Sequence, residues 1–257
     1  WRIFFRFAWL LVAVVLVWTG MAKSGVGGSN PSQPHTAVVA IKGEIADGAD
    51  ASAEWVVTAL RAAFEDEGSQ AVVLQINSPG GSPVQAGIIN DEIRRLKDKH
   101  QKPVYAVVEE SCASAAYYIA VAADQIYVDK ASIVGSIGVL MDGFGFTGLM
   151  DKLGVERRLM TAGENKGFLD PFSPLNDEQK GHAKQMLTEI HEQFIDVVRK
   201  GRGKRLKETP EMFSGLVWVG QKSIELGLAD AIGSAEQVAR DVIKAEDIID
   251  FTPRENV

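Results

Sequence analysis

Ala71-Val72-Val73-Leu74-Gln75-Ile76-Asn77-Ser78-Pro79-Gly80-Gly81-Ser82 joins an apolar run of strand length to a sharp turn signal. Having no Cβ, the two glycines can turn tightly and leave backbone N–H groups facing a ligand. A second run, Val104-Tyr105-Ala106-Val107-Val108, leads on to Cys112-Ala113-Ser114-Ala115-Ala116-Tyr117-Tyr118. There, small residues surround a serine that would open a helix. A serine where a strand turns into a helix exposes its hydroxyl, and the amides after it have no intrahelical partner. The pair therefore reads as an oxyanion turn and a nucleophile, with helix capping by Ser114 as the structural alternative.

Outward from these two segments the chain alternates. Ala37–Ile41, Ala71–Ile76, Val104–Val108, Gln125–Val128, Ile137–Met141 and Val155–Thr161 read as strands. Helical spacing fits Ala51–Glu65, Val84–Lys99 and Ser114–Ala122 between them. Alternation of this kind predicts an α/β fold of βαβ units with a largely parallel sheet. After Pro174 the pattern turns mainly helical. Met186, Leu187, Ile190, Phe194, Val197 and Val198 share one face of a predicted helix from Asn176 to Lys200, and Arg199 to Lys207 reads as a solvated basic loop. A last helix is expected near Ser234–Ala245, followed by a polar tail.

The 257 residues, 46% of them hydrophobic, suit one sizeable core. A net charge of −7 argues against a nucleic-acid partner, which needs a basic surface. The single cysteine, Cys112, excludes an intrachain disulfide, and the four histidines form no ligand pattern for a metal. Phe7 to Ala22 carries no charge and follows Arg2 and Arg6. It reads as a membrane anchor (1–22) with its N-terminus inside, so that the rest lies outside the cytoplasmic membrane. A Gly- and Ser-rich tether (23–36) then leads to a catalytic domain (37–257).

Ser114 needs a base. His35 falls in the tether, His100 ends a charged helix, and His182 and His191 lie on the amphipathic helix, where solvated positions are expected. A lysine serves instead if it is neutral, a state that burial favours. Lys166 is the candidate, because apolar residues of Gly163-Glu164-Asn165-Lys166-Gly167-Phe168-Leu169-Asp170-Pro171-Phe172 could desolvate it.

Four ordered segments, Asn77–Ser82, Ala113–Tyr118, Val134-Gly135-Ser136-Ile137-Gly138-Val139, and Thr161–Lys166 with Pro171-Phe172, resemble the signal peptide peptidase A family of membrane-bound serine–lysine endopeptidases. The resemblance implies a Clp protease/crotonase-like fold of stacked βαβ units behind an N-terminal transmembrane helix. By position it assigns Ser114 as nucleophile, Lys166 as general base, Ser136 as the residue orienting the lysine, and Gly80, Gly81 and Ala115 as oxyanion donors. No metal or cofactor is implied. Expected substrates are hydrophobic peptides such as signal-peptide remnants and unfolded or membrane segments. The expected assembly is a homo-oligomeric ring, an octamer among the candidate sizes, standing on the bilayer with each active site shared between protomers. A stomatin-type membrane-protein protease, a crotonase-like acyl-CoA enzyme and a non-catalytic scaffold are the alternatives. The family often has Ser-Gly-Gly where this chain has Ser114-Ala115-Ala116.

Overall fold

The computed structural model describes residues 33–253. Its strands are β1 (His35–Lys42), β2 (Ser69–Ser78), β3 (Val104–Ala113), β4 (Gln125–Val128), β5 (Ile133–Gly135), β6 (Val217–Val219), β7 (Ala231–Ile232) and β8 (Ile248–Asp250). They form one sheet ordered β6-β5-β3-β2-β1-β8, with β4 also beside β3 and β7 beyond β4. Every pair is parallel except β5–β6. Helices α1 (Ala53–Glu65), α2 (Pro83–His100) and α3 (Ala115–Ala120) follow β1, β2 and β3 in turn, as the alternation predicts. Later come α4 (Thr147–Leu153), α5 (Asp177–Arg202), α6 (Gly220–Glu225) and the short α7 (Ala235–Gln237), which continues as a π turn over Val238–Ile243.

The central strands are apolar at successive positions because both faces of the sheet are covered. Val39, Ile41, Leu74, Ile76 and Val108 pack with α1, α2 and α3 in the main core. Their neighbours Val38, Val73 and Val107 point the other way, against Ala235 and Val238. Fully burying one such side chain stabilises the fold by about 1.5–3 kcal/mol, so charge at any of these positions would be severely disruptive.

An irregularity in β3 creates the site. Ile76 pairs with Val108 and Ser78 with Cys112, so β3 spends two more residues than β2 over the same span. Extra residues on one strand bend it. Below the bend Tyr105–Val107 pair with β4, and above it Ser111–Ala113 pair with β5. The end of β3 is thereby steered towards the β2 turn.

The short α3 is held from two sides. On one, Asn90 Nδ2, Arg94 Nη2 and Lys97 Nζ on α2 donate to the Tyr118, Val121 and Ala122 carbonyls at 2.7, 3.4 and 3.1 Å, satisfying carbonyls at the helix end. On the other, Gly201 of α5 lets the backbones meet; a Cβ there would fall 2.2 Å from the Val121 oxygen. The following Arg202 is 1% exposed. It donates to the Gly227 carbonyl at 2.7 Å and to both Asp230 oxygens at 2.8 and 2.9 Å.

Several expectations need correction. Arg199 to Lys207 is a solvated turn only in part: α5 runs on to the buried Arg202, Arg199 pairs with Glu208 and Arg205 donates to the Asp124 and Gly201 carbonyls, while Lys200, Lys204 and Lys207 are exposed as expected. Ile137–Met141 and Val155–Thr161 form no strands, since β-prone residues need a neighbour to bond, and the chain joins β6 four residues earlier, at Ile133–Gly135. The polar tail supplies β8, which pairs with β1. His35 and Thr36 belong to β1 rather than a tether; His35 is buried, with Nδ1 2.9 Å from the Gln33 carbonyl and its ring stacked on Phe251. Residues 1–32, with the proposed anchor and most of the tether, lie outside the described residues. Among those described, no helix is long and apolar enough to cross a membrane.

Burial raises the Asp230 carboxyl, but hydrogen bonds and charge from Arg202, with help from the Ile126 N–H and Arg205, outweigh it and hold the group below its ordinary value. A depressed acid stabilises the fold above its unfolded pKa, and that contribution is lost as pH falls through the folded one. Arg202→Met, which keeps bulk but leaves Asp230 only the Ile126 N–H and the longer Arg205 contact, should cost up to about 3–5 kcal/mol at pH 7. In urea titrations the gap from wild type should narrow as pH falls towards the ordinary carboxylate pKa of about 3.9, because burial makes the variant's less compensated acid protonate above that value whereas the paired acid of wild type protonates below it. An equal gap at both pH values would contradict this account.

Candidate active site

Ser114 occupies the N-cap position of α3 with φ 53° and ψ −121°, a conformation that glycine tolerates and serine does not. Its side chain makes no capping hydrogen bond. The capping explanation for this serine therefore fails, and its hydroxyl is left for other work. Two backbone bonds brace the strained residue: its N–H donates to the Gly135 carbonyl at 2.9 Å, and its carbonyl accepts from Tyr118 at 3.0 Å.

The glycine turn presses directly against it. A Cβ on Gly80 would lie 2.7 Å from Ser114 Cβ and 2.8 Å from the Ala113 oxygen, and its φ is 107°. The Gly80 N–H donates to Ser78 Oγ at 3.1 Å and is thus committed to the turn itself. Gly81, at φ 145°, bridges to Ile45. That bridge uses the Gly80 carbonyl, both polar groups of Ile45 and the Ser82 N–H, but not the Gly81 amide. Ser82 then caps α2 by accepting from Gln85 at 3.3 Å.

A cavity of about 570 Å³ opens over Ser114. Gly81, Ala115 and Ser136 line it together with the nucleophile candidate, while Pro79, Tyr118 and Phe194 supply apolar wall. Among the described residues, no charged side chain lines it. Ser136 also has a positive φ, 52°, and donates its N–H to the Leu216 carbonyl at 2.7 Å. Sequence reasoning missed the far wall, from Ile190, Gln193 and Phe194 of α5 and from Ser214 and Gly215. The helical periodicity did mark Ile190 and Phe194, but as core. His191, expected in solvent, is half-buried and bonded to the Ile137 carbonyl.

Lys166 is not brought to this cavity within the chain. It sits on an exposed turn, its N–H donating to the Gly163 carbonyl at 3.1 Å. The desolvation expected from its own segment is absent among the described residues, because no residue of the arm that carries it, 140–176, is buried. No residue of α4 is buried, and Leu140 (82% exposed), Phe144 (77%), Leu153 (69%) and Met160 (93%) present apolar surface along it.

Residues 96–248 match the model of Peptidase family S49. The chain belongs to that family. Among its relatives is a Brucella abortus protein named Na(+)/H(+) antiporter NhaA, 48% identical over 70% of this chain but only 25% of its own length. Another, provisionally named signal peptide peptidase SppA in Enterococcus faecium, is 30% identical over 76% of this chain and 57% of its own. The chain thus spans about a quarter of the first relative and little more than half of the second. Among solved structures, a membrane-bound stomatin-specific protease variant in complex with a substrate peptide aligns with a TM-score of 0.50 at 16% identity, over 79% of this chain and 76% of that one. At that identity the likeness speaks for the fold alone.

Two substitutions test the strain at the heart of this S49 domain. Ser114→Gly removes about 1–3 kcal/mol of strain and should raise stability, net of about 0.5–1 kcal/mol for glycine's greater freedom when unfolded. Gly80→Ala should lower it by about 1–3 kcal/mol through overpacking against Ser114. Thermal unfolding of both proteins checks the pair; a less stable Ser114→Gly would show that the serine is not strained.

Proposed function

We propose that this protein is a serine endopeptidase in which Ser114 is the nucleophile and Lys166, delivered by a neighbouring copy, is the general base. The observation that carries the reading is the strained, uncapped Ser114 at the floor of an uncharged cavity. Energy stored in such a conformation persists where the surrounding structure enforces it, and functional sites are where it collects.

In this reading neutral Lys166 takes the Ser114 hydroxyl proton as Oγ attacks the scissile carbonyl. The carbonyl oxygen becomes an oxyanion and is stabilised by the Gly81 and Ala115 amides, which belong to cavity-lining residues. Gly80 shapes the turn rather than donating, since its amide already serves Ser78. Lys166 returns the proton to the departing amine, and water releases the acyl group by the same route. Ser136 would hold the lysine amine in line.

The uncharged cavity wall suits apolar side chains, which favours hydrophobic peptides, signal-peptide remnants and membrane segments among them, over charged ones. The exposed apolar arm carrying Lys166 supports assembly, since contiguous surface of this kind marks interaction sites. A ring of such chains, anchored through residues 7–22 with its catalytic domains outside the cytoplasmic membrane, would bring each lysine to the next chain's serine.

Purified Ser114→Ala and Lys166→Ala chains should each lose roughly 10²–10⁴-fold in hydrolysis of an apolar fluorogenic peptide. Mixing the two inactive forms should restore activity by creating intact composite sites. Undiminished hydrolysis by Ser114→Ala would remove the proposed nucleophile. No recovery despite demonstrated co-assembly would place both groups in one chain.

A further inference from the structure

Helix α5 faces the cavity through Ile190, Gln193 and Phe194, but its His191 is aimed elsewhere. The ring Nε2 lies 3.1 Å from the Ile137 carbonyl oxygen, and since a carbonyl can only accept, the imidazole must donate there. Ile137 is fully buried and lies between Ser136 and Gly138, which line the cavity wall formed by this stretch. This wall is bonded at closely spaced points. The Gly135 carbonyl accepts the Ser114 N–H at 2.9 Å, the Ser136 N–H donates to Leu216 at 2.7 Å, and the Gly138 N–H donates to the Ser136 carbonyl at 2.9 Å. Among the described residues, His191 supplies its one side-chain hydrogen bond.

Resting on the peptidase reading above, we propose that His191 is a positioning residue for the nucleophile. By fixing the Ile137 carbonyl, it holds the positive-φ turn at Ser136, and through Gly135 it holds the amide of Ser114. Backbone in such a conformation relaxes unless its surroundings over-determine it, and the chain beyond Gly138 is irregular until α4. His191 does not line the cavity and does not serve as its base. Its imidazole acts as a fixed N–H donor, so another side chain that donates from the same place can replace it.

The test is steady-state hydrolysis of an apolar fluorogenic peptide by the full chain, comparing wild type, His191→Gln, His191→Leu and Ser114→Ala. Misplacing a reacting group by about 1 Å can cost roughly a hundredfold, so His191→Leu should lower kcat by about ten- to a hundredfold with little change in KM. His191→Gln, whose amide N–H can reach Ile137, should recover most of that loss at the same thermal midpoint as His191→Leu. If His191→Leu does not fold, His191→Asn takes its place, its shorter amide falling short of the carbonyl. A kcat in the leucine variant within about twofold of wild type, or a glutamine variant as impaired as the leucine one, would overturn the proposal. Hydrolysis that survives Ser114→Ala would sink the serine mechanism itself, a different failure from an unaffected His191→Leu in an enzyme that does need Ser114.

Discussion

The contact between the Gly80–Gly81 turn and Ser114 is the constraint around which this domain is arranged. Two strands must end side by side, one in a turn without side chains and the other in a serine held at a backbone conformation it resists. Everything nearby serves that juxtaposition. The bend in β3 shifts its end onto β5, the Gly135 carbonyl catches the Ser114 amide, and polar groups of α2 take up the carbonyls at the far end of α3. Buried Arg202 ties the C-terminus of α5 to Asp230 and the edge of the sheet, so the long helix that walls the cavity is fixed from below.

Much of this was legible because apolar runs and turn residues report local structure directly. The four central strands and the helices after three of them follow from strand-length runs and helical spacing, and the glycine turn and Ser114 followed from the residues around them. What escaped were features decided by distant partners. Val155–Thr161 has the composition of a strand but no neighbour to pair with, whereas Ile248–Asp250 looks like tail and becomes a strand because β1 offers an edge. His35 and Arg202 look like solvent residues until the stacked Phe251 and the Asp230 carboxylate surround them.

The candidate site divides along the same line. Ser114, Gly81, Ala115 and Ser136 meet in one cavity because each lies within a few residues of a strand end, where the sheet dictates position. Lys166 belongs to an arm that the sheet does not hold, and among the described residues nothing places it at the cavity. That arm carries apolar side chains such as Met160 and Leu153 into solvent, surface that a single copy of the chain leaves uncovered. The proposed sharing of the active site between copies would satisfy both needs at once, covering the arm and removing water from the lysine.

The central claim is that Ser114 is a nucleophile made available by its strained backbone. Its most direct test is to treat the assembled protein with a serine-reactive phosphonate and map the adduct by peptide mass spectrometry. One adduct on Ser114, formed in step with loss of hydrolysis, is the predicted result. Complete loss of hydrolysis with the adduct on another residue, or full hydrolysis with Ser114 modified, would contradict it.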